Sequence, residues 1–211
     1  MMKIKPDNKK SAILLVMLEA AEGEEQELHD WYDFEHIPER AAVKGFSKLQ
    51  RYVCLEGWPR FMALYDLDSL DVLKTKEYEL IVGDNYSPWS KRVIGKARGW
   101  IRSEAELVEH GSKKLDLKVA PLRMMVVSYT DVQSGDIASL DKKIKAYTDQ
   151  RSDVLQSRVF RVARDKDRRL YALIELNAPR SLKEFDWDQF IPKSGQIDIA
   201  NIYTRYWRAK N

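Results

Sequence analysis

Phe61-Met62-Ala63-Leu64-Tyr65-Asp66-Leu67 returns about 110 residues later as Leu170-Tyr171-Ala172-Leu173-Ile174-Glu175-Leu176. The two stretches share little identity but one pattern, a short run rich in apolar and aromatic residues that reads as a strand. Each is preceded by another strand-like stretch. Phe46 to Glu56 alternates and reaches the first stretch through Gly57-Trp58-Pro59; Val154 to Arg164 reaches the second through the charged turn 165–167. Two hairpins in corresponding places therefore frame the chain.

Working outward, Ser11 to Ala20 is a continuous apolar run of the kind a covered strand shows. Leu28, Trp31, Tyr32 and Glu35 then fall at helical spacing within Glu24 to Ile37, where Pro38 is expected to end or kink the helix. Ser69 is a good N-cap for a helix over Leu70 to Ile81. A short helical turn over Trp89 to Lys96 and a strand over Gly99 to Val108 complete the order β-α-β-β-α-β. The second half repeats it, with strands over Leu122 to Val132 and Ile197 to Arg208 and helices over Ile137 to Gln150 and Ser181 to Phe190. The fold class is thus α+β, with two tandem ferredoxin-like βαββαβ units. Residues 11–109 form the first unit, 110–121 a polar linker, and 122–208 a second, degenerate unit. One sheet covered by helices on one side leaves an apolar face bare, so two sheets must pack together, within one chain or between two. The space between them can hold a small ligand.

The hydrophobic share of 44% supports a proper core, and 36 basic against 33 acidic residues give no general nucleic-acid signal. Residues 1–110 carry 16 basic and 20 acidic residues, net −4, and residues 111–211 carry 20 and 13, net +7. That asymmetry suits either an anionic ligand near the second half or attraction between the halves, and the second reading is the simpler. A single cysteine, Cys54, rules out an internal disulfide. The longest apolar run, Ala12 to Leu18, is too short to cross a membrane, and MMKIKPDNKK at the start lacks the apolar core of a signal peptide. A soluble, cytoplasmic protein is expected, with neither nucleic acid nor a membrane as partner.

The segment Trp31-Tyr32-Asp33-Phe34-Glu35-His36-Ile37-Pro38-Glu39-Arg40 resembles the WYxxEHIPxR helix of EthD-like members of the dimeric α+β barrel superfamily. Gly45-Phe46, Arg51-Tyr52, the stretch from Pro59 to Tyr65 and Tyr86-Ser87-Pro88-Trp89-Ser90-Lys91-Arg92 also resemble that family's segments, over about residues 11–107. The second half follows the fold without the motif. The resemblance implies a dimeric α+β barrel architecture, a homodimer by default, and one site in the first half. Superfamily activities include isomerases, cofactor-free monooxygenases, cyclases, dehydratases and haem-handling enzymes.

His36 is the best catalytic candidate, a proton donor or acceptor near neutral pH. Asp33, three residues earlier, is placed to orient its ring, and Tyr52 and Arg51 are polar pocket groups. Trp31, Tyr32 and Trp89 are candidate walls for an apolar or aromatic ligand, and Arg51, Arg60 and Arg92 candidate holders of its anionic group. Each has a plainer alternative: His36 at a helix end, aromatics as core, arginines in surface ion pairs. His29, Asp33 and His36 share a helical face, which is too little for a zinc site, and phosphate-loop, GxSxG and HExxH motifs are missing. The expectation is a small-molecule enzyme with no bound cofactor and no metal, doing acid–base isomerase, cyclase, dehydratase or lyase chemistry on an apolar or aromatic metabolite. The alternative is a non-catalytic ligand-binding or scaffold barrel.

Overall fold

A computed structural model describes residues 10–108 and 120–208. Most of the expected linker, with His110, lies outside the described residues. The first half contains β1 (Ala12–Glu19), α1 (Glu25–Trp31), a π-helical turn (Tyr32–His36), α2 (Ile37–Ala41), β2 (Phe46–Glu56), β3 (Phe61–Leu67), α3 (Lys76–Glu79), α4 (Pro88–Lys96) and β4 (Arg98–Leu107). The second contains β5 (Arg123–Thr130), α5 (Ile137–Asp149), β6 (Val154–Val162), β7 (Leu170–Leu176) and β8 (Gln196–Tyr206). No helix among the described residues is long and apolar enough to cross a membrane.

All pairings are antiparallel, and the strands close into one barrel in the order β1-β3-β2-β8-β5-β7-β6-β4. Within each half the spatial order is the same: fourth, first, third, second strand. The barrel is thus completed inside a single chain. Its two seams differ, since β2 runs beside β8 from Arg51 to Glu56, whereas β4 meets β6 over only three pairs, Ala105 to Leu107. Residues of opposite charge join the halves, with Arg158 bound to Asp66 at 2.8 Å and Arg208 to Asp30 at 2.5 Å. The charge asymmetry of the sequence is spent in part on this contact.

Strand alternation divides the core into three parts. Ile13, Leu15 and Met17 of β1 point inward and meet Met62, Met124, Tyr171 and Tyr203 in a filled barrel interior. Leu14, Val16 and Leu18 point outward under the helices of the first half, and Val127, Tyr129 and Ile174 do the same in the second. Each fully buried aliphatic side chain contributes about 1.5–3 kcal/mol relative to exposure.

Two helical expectations are corrected, and at Pro38 the helix distorts without ending. Leu70 to Ile81 is not one helix: a 3-10 turn (Leu70–Lys74) stops at Thr75, whose hydroxyl bonds the Val72 carbonyl and accepts from Tyr78 N–H to start α3. Ser181 to Phe190 forms two 3-10 turns rather than a helix. Pro38 does not end the first helix. It has no N–H to donate, and its ring would crowd the carbonyl four residues back. The helix widens just before it, with the Ile37 N–H reaching Tyr32 O, and then continues to Ala41. Such π-turns occur often at functional sites.

Candidate functional site

The widened turn decides where the motif residues point. In a regular α-helix Asp33 and His36 would share a face; here they part. His36 turns toward the sheet and is 6% exposed. Its ring lies 4.0 Å from that of Trp31 and 5.3 Å, edge-on, from that of Tyr32, with Tyr65 of β3 at 6.5 Å. Nδ1 of His36 and the Tyr65 hydroxyl are buried without a hydrogen-bond partner. Such groups carry their full desolvation cost, about 1–3 kcal/mol each. Burial, and then the nearby Arg40 and Arg51, hold the imidazole well below its ordinary pKa, so the ring is neutral at physiological pH. Burial likewise pushes the Tyr32 phenol up to about 12.

Asp33 binds Arg51 at 2.7 Å instead of orienting His36. Arg51 in turn lies between two rings, 4.5 Å from Tyr32 and 4.2 Å from Tyr206 of β8, and contacts His29 Nδ1 at 2.5 Å. His29 stacks on Tyr206 at 4.4 Å, and burial together with Arg51 lowers its pKa to about 4. Arg51 is therefore already fully engaged, and in part by a residue from the other half.

Tyr52 follows Arg51 in β2 and so faces the opposite way, into the barrel interior. The sheet separates it from His36, and the expected grouping of His36, Asp33 and Tyr52 is not formed. Trp89 and Arg92 sit on α4, where both bind Glu27, at 3.1 Å through the indole and 2.6 Å through the guanidinium. Of the expected walls, Tyr32 and Trp31 both remain beside His36, and Trp31 is the closer. It stays against His36, fixed by Ser90 Oγ at 2.9 Å, which Glu35 holds in place.

Two groups escaped the sequence reading. Arg40, one helical turn past His36, is 1% exposed; it belongs to the motif but was given no role. Inside the barrel, Arg158 binds Asp66 at 2.8 Å and Glu175 at 2.9 Å. The two acids stand at matching places of the repeated stretch, in strands otherwise wholly apolar or aromatic, and that shared exception was the available signal. No group of three or more metal-binding side chains occurs among the described residues.

Solved structures with this architecture exist. An anthrone oxidase-like protein matches with a TM-score of 0.63 at 9% identity, over 97% of this chain and 94% of that one. A protein proposed to be a monooxygenase from Fusobacterium nucleatum subsp. nucleatum matches with a TM-score of 0.56 at 10% identity, over 96% and 100%. The chain has the dimeric α+β barrel fold. A haem-binding protein from Thermus thermophilus shares it with a TM-score of 0.52 at 14% identity, over 93% and 91%. No protein-family model and no curated protein matches the sequence. At these identities the likeness concerns the fold.

Proposed function

We propose that the chain is an EthD-like, two-unit barrel enzyme that moves protons on a small aromatic molecule, with neutral His36 as the base. The observation that carries this is the pair of buried polar atoms lacking partners, His36 Nδ1 and the Tyr65 hydroxyl, on either side of one aromatic box. A ligand oxygen or acidic C–H placed between them would satisfy both. Trp31 and Tyr32 supply flat apolar walls. The chemistry fits isomerase or lyase reactions that begin by removing a proton beside a carbonyl, and the base needed for it is in the chain itself. The box is closed by its own side chains, and half-buried Glu39 and Tyr86 stand beside it at Arg40. Since the barrel closes within one chain, a homodimer would join two finished barrels.

The test uses 2-tetralone, an aromatic ketone with enolisable C–H groups, in deuterated buffer. Proton exchange followed by NMR should be faster with protein, and the acceleration should disappear in His36→Ala. Equal acceleration by both proteins would remove His36 from the reaction. A second reading is favoured by one observation: Arg51, Trp89 and Arg92 already have partners within the fold. In that reading the barrel only binds its ligand, and 2-tetralone raises the melting temperature yet returns unexchanged.

A further inference from the structure

Arg40 is a buried cation whose carboxylate partner among the described residues, Glu39, is half-exposed. Its guanidinium reaches Glu39 at 2.8 Å, the Ile81 carbonyl at 3.3 Å and the Tyr86 hydroxyl. Glu39 is its immediate neighbour in sequence, with a side chain 30% exposed against 2% for Arg40. Burial raises the Glu39 carboxyl even with Arg40 beside it, so this carboxylate is held there at some cost. Arg40 lies one α-helical turn from His36, on the same helix face. Its field is felt by both His36 and Tyr65, the two side chains with unpartnered buried atoms. Arg51 and Arg92, by contrast, are engaged by Asp33 and Glu27.

We propose that Arg40 receives the carboxylate of an aromatic acid, and that Glu39 is the resident carboxylate this ligand displaces into solvent. The inference rests on the reading of the His36 box as the ligand site and names the class of molecule it takes. Exchanging one carboxylate for another leaves the buried charge balanced. The desolvation of Arg40 has been met during folding, so the ligand has only its own to supply. The Tyr65 hydroxyl then donates to the second carboxylate oxygen, which ends its unpartnered state. The aromatic body of the acid lies along Trp31 and Tyr32, with its acidic C–H or hydroxyl toward His36 Nδ1.

The experiment measures binding of 2-naphthoate and of its neutral analogue 2-naphthamide by calorimetry and thermal shift. It uses the full chain and the variants Arg40→Met, Glu39→Gln and His36→Ala. In the unsubstituted protein the acid should bind at least about tenfold more tightly than the amide, the worth of one charge-assisted hydrogen bond. Glu39→Gln should bind the acid several-fold more tightly, because the competing carboxylate is gone, and Arg40→Met should lose the preference for the acid. Glu39 is partly exposed, so its variant reads out even if Arg40→Met fails to fold. Equal binding of acid and amide, both weakened by His36→Ala, would overturn the role of Arg40 and leave the site reading standing. Weaker binding of the acid to Glu39→Gln would also overturn it. If neither compound binds, the site reading and this inference fall together.

Discussion

The two halves thread their strands identically but cover them differently. In the second, α5 is one continuous helix of 13 residues, and it sets Leu140 and Ile144 in an apolar cluster with Ile174 of β7. In the first, the corresponding cover is broken by a π-turn ahead of Pro38, and it sets His36 and Arg40 over Tyr65, the counterpart of Ile174. An uninterrupted helix buries an even apolar stripe, whereas a widened one re-aims particular side chains. The comparison teaches that two halves with the same strand order differ through local backbone irregularity: one covers its sheet with an even apolar stripe, and the other places a buried histidine and arginine there.

Inside the barrel one arginine of the second half binds an acid from each half, and the largest effect should come from there. Arg158→Leu leaves Asp66 and Glu175 buried without their cation and should cost about 3–5 kcal/mol in denaturant unfolding. Replacing Asp66, Arg158 and Glu175 together by leucine should recover most of that loss; if it does not, the triad matters for more than charge balance. Ile144→Ala tests the packing half. It should cost about 2–5 kcal/mol while leaving 2-tetralone exchange by the folded protein intact. Tyr65→Phe tests the other half in reverse. Losing an unpartnered buried hydroxyl should stabilise the fold by about 1–3 kcal/mol, while the preference for 2-naphthoate over its amide falls. A large loss of stability there would mean that the hydroxyl serves the fold.

The smallest effect is with pH. His29 titrates at about 4 in the folded protein and near 6.5 when unfolded. Between those values the unfolded chain binds a proton that the folded one does not, so stability falls as pH drops from about 6.5 to about 4 and is unaffected by His29 below that. His36 acts in the same direction. His29→Gln should flatten the melting-temperature profile across that window, and an unchanged slope would assign it to other groups.

The strands were readable because their signals are local. An apolar run such as Ala12 to Leu18, or the repeat of Phe61 to Leu67 at Leu170 to Leu176, states its own conformation through side-chain alternation and apolar content. The helices were read less well. Thr75 competes for the backbone and splits one, and Pro38 widens another instead of ending it, since a single helical turn can relax around either residue.

Of the candidate site, the sequence singled out His36 and Trp31, which the structure brings together, and by itself it determined the strands and their order along the chain. Only the tertiary structure decided that the barrel closes within one chain. It also decided that Asp33 serves Arg51, that Tyr206 from the far half caps that pair, and that Tyr52 lies across the sheet from His36. Strand identity follows from neighbouring residues, but a side chain's partner follows from the register of β2 against β8, more than a hundred residues apart, and from one extra residue in a helical turn.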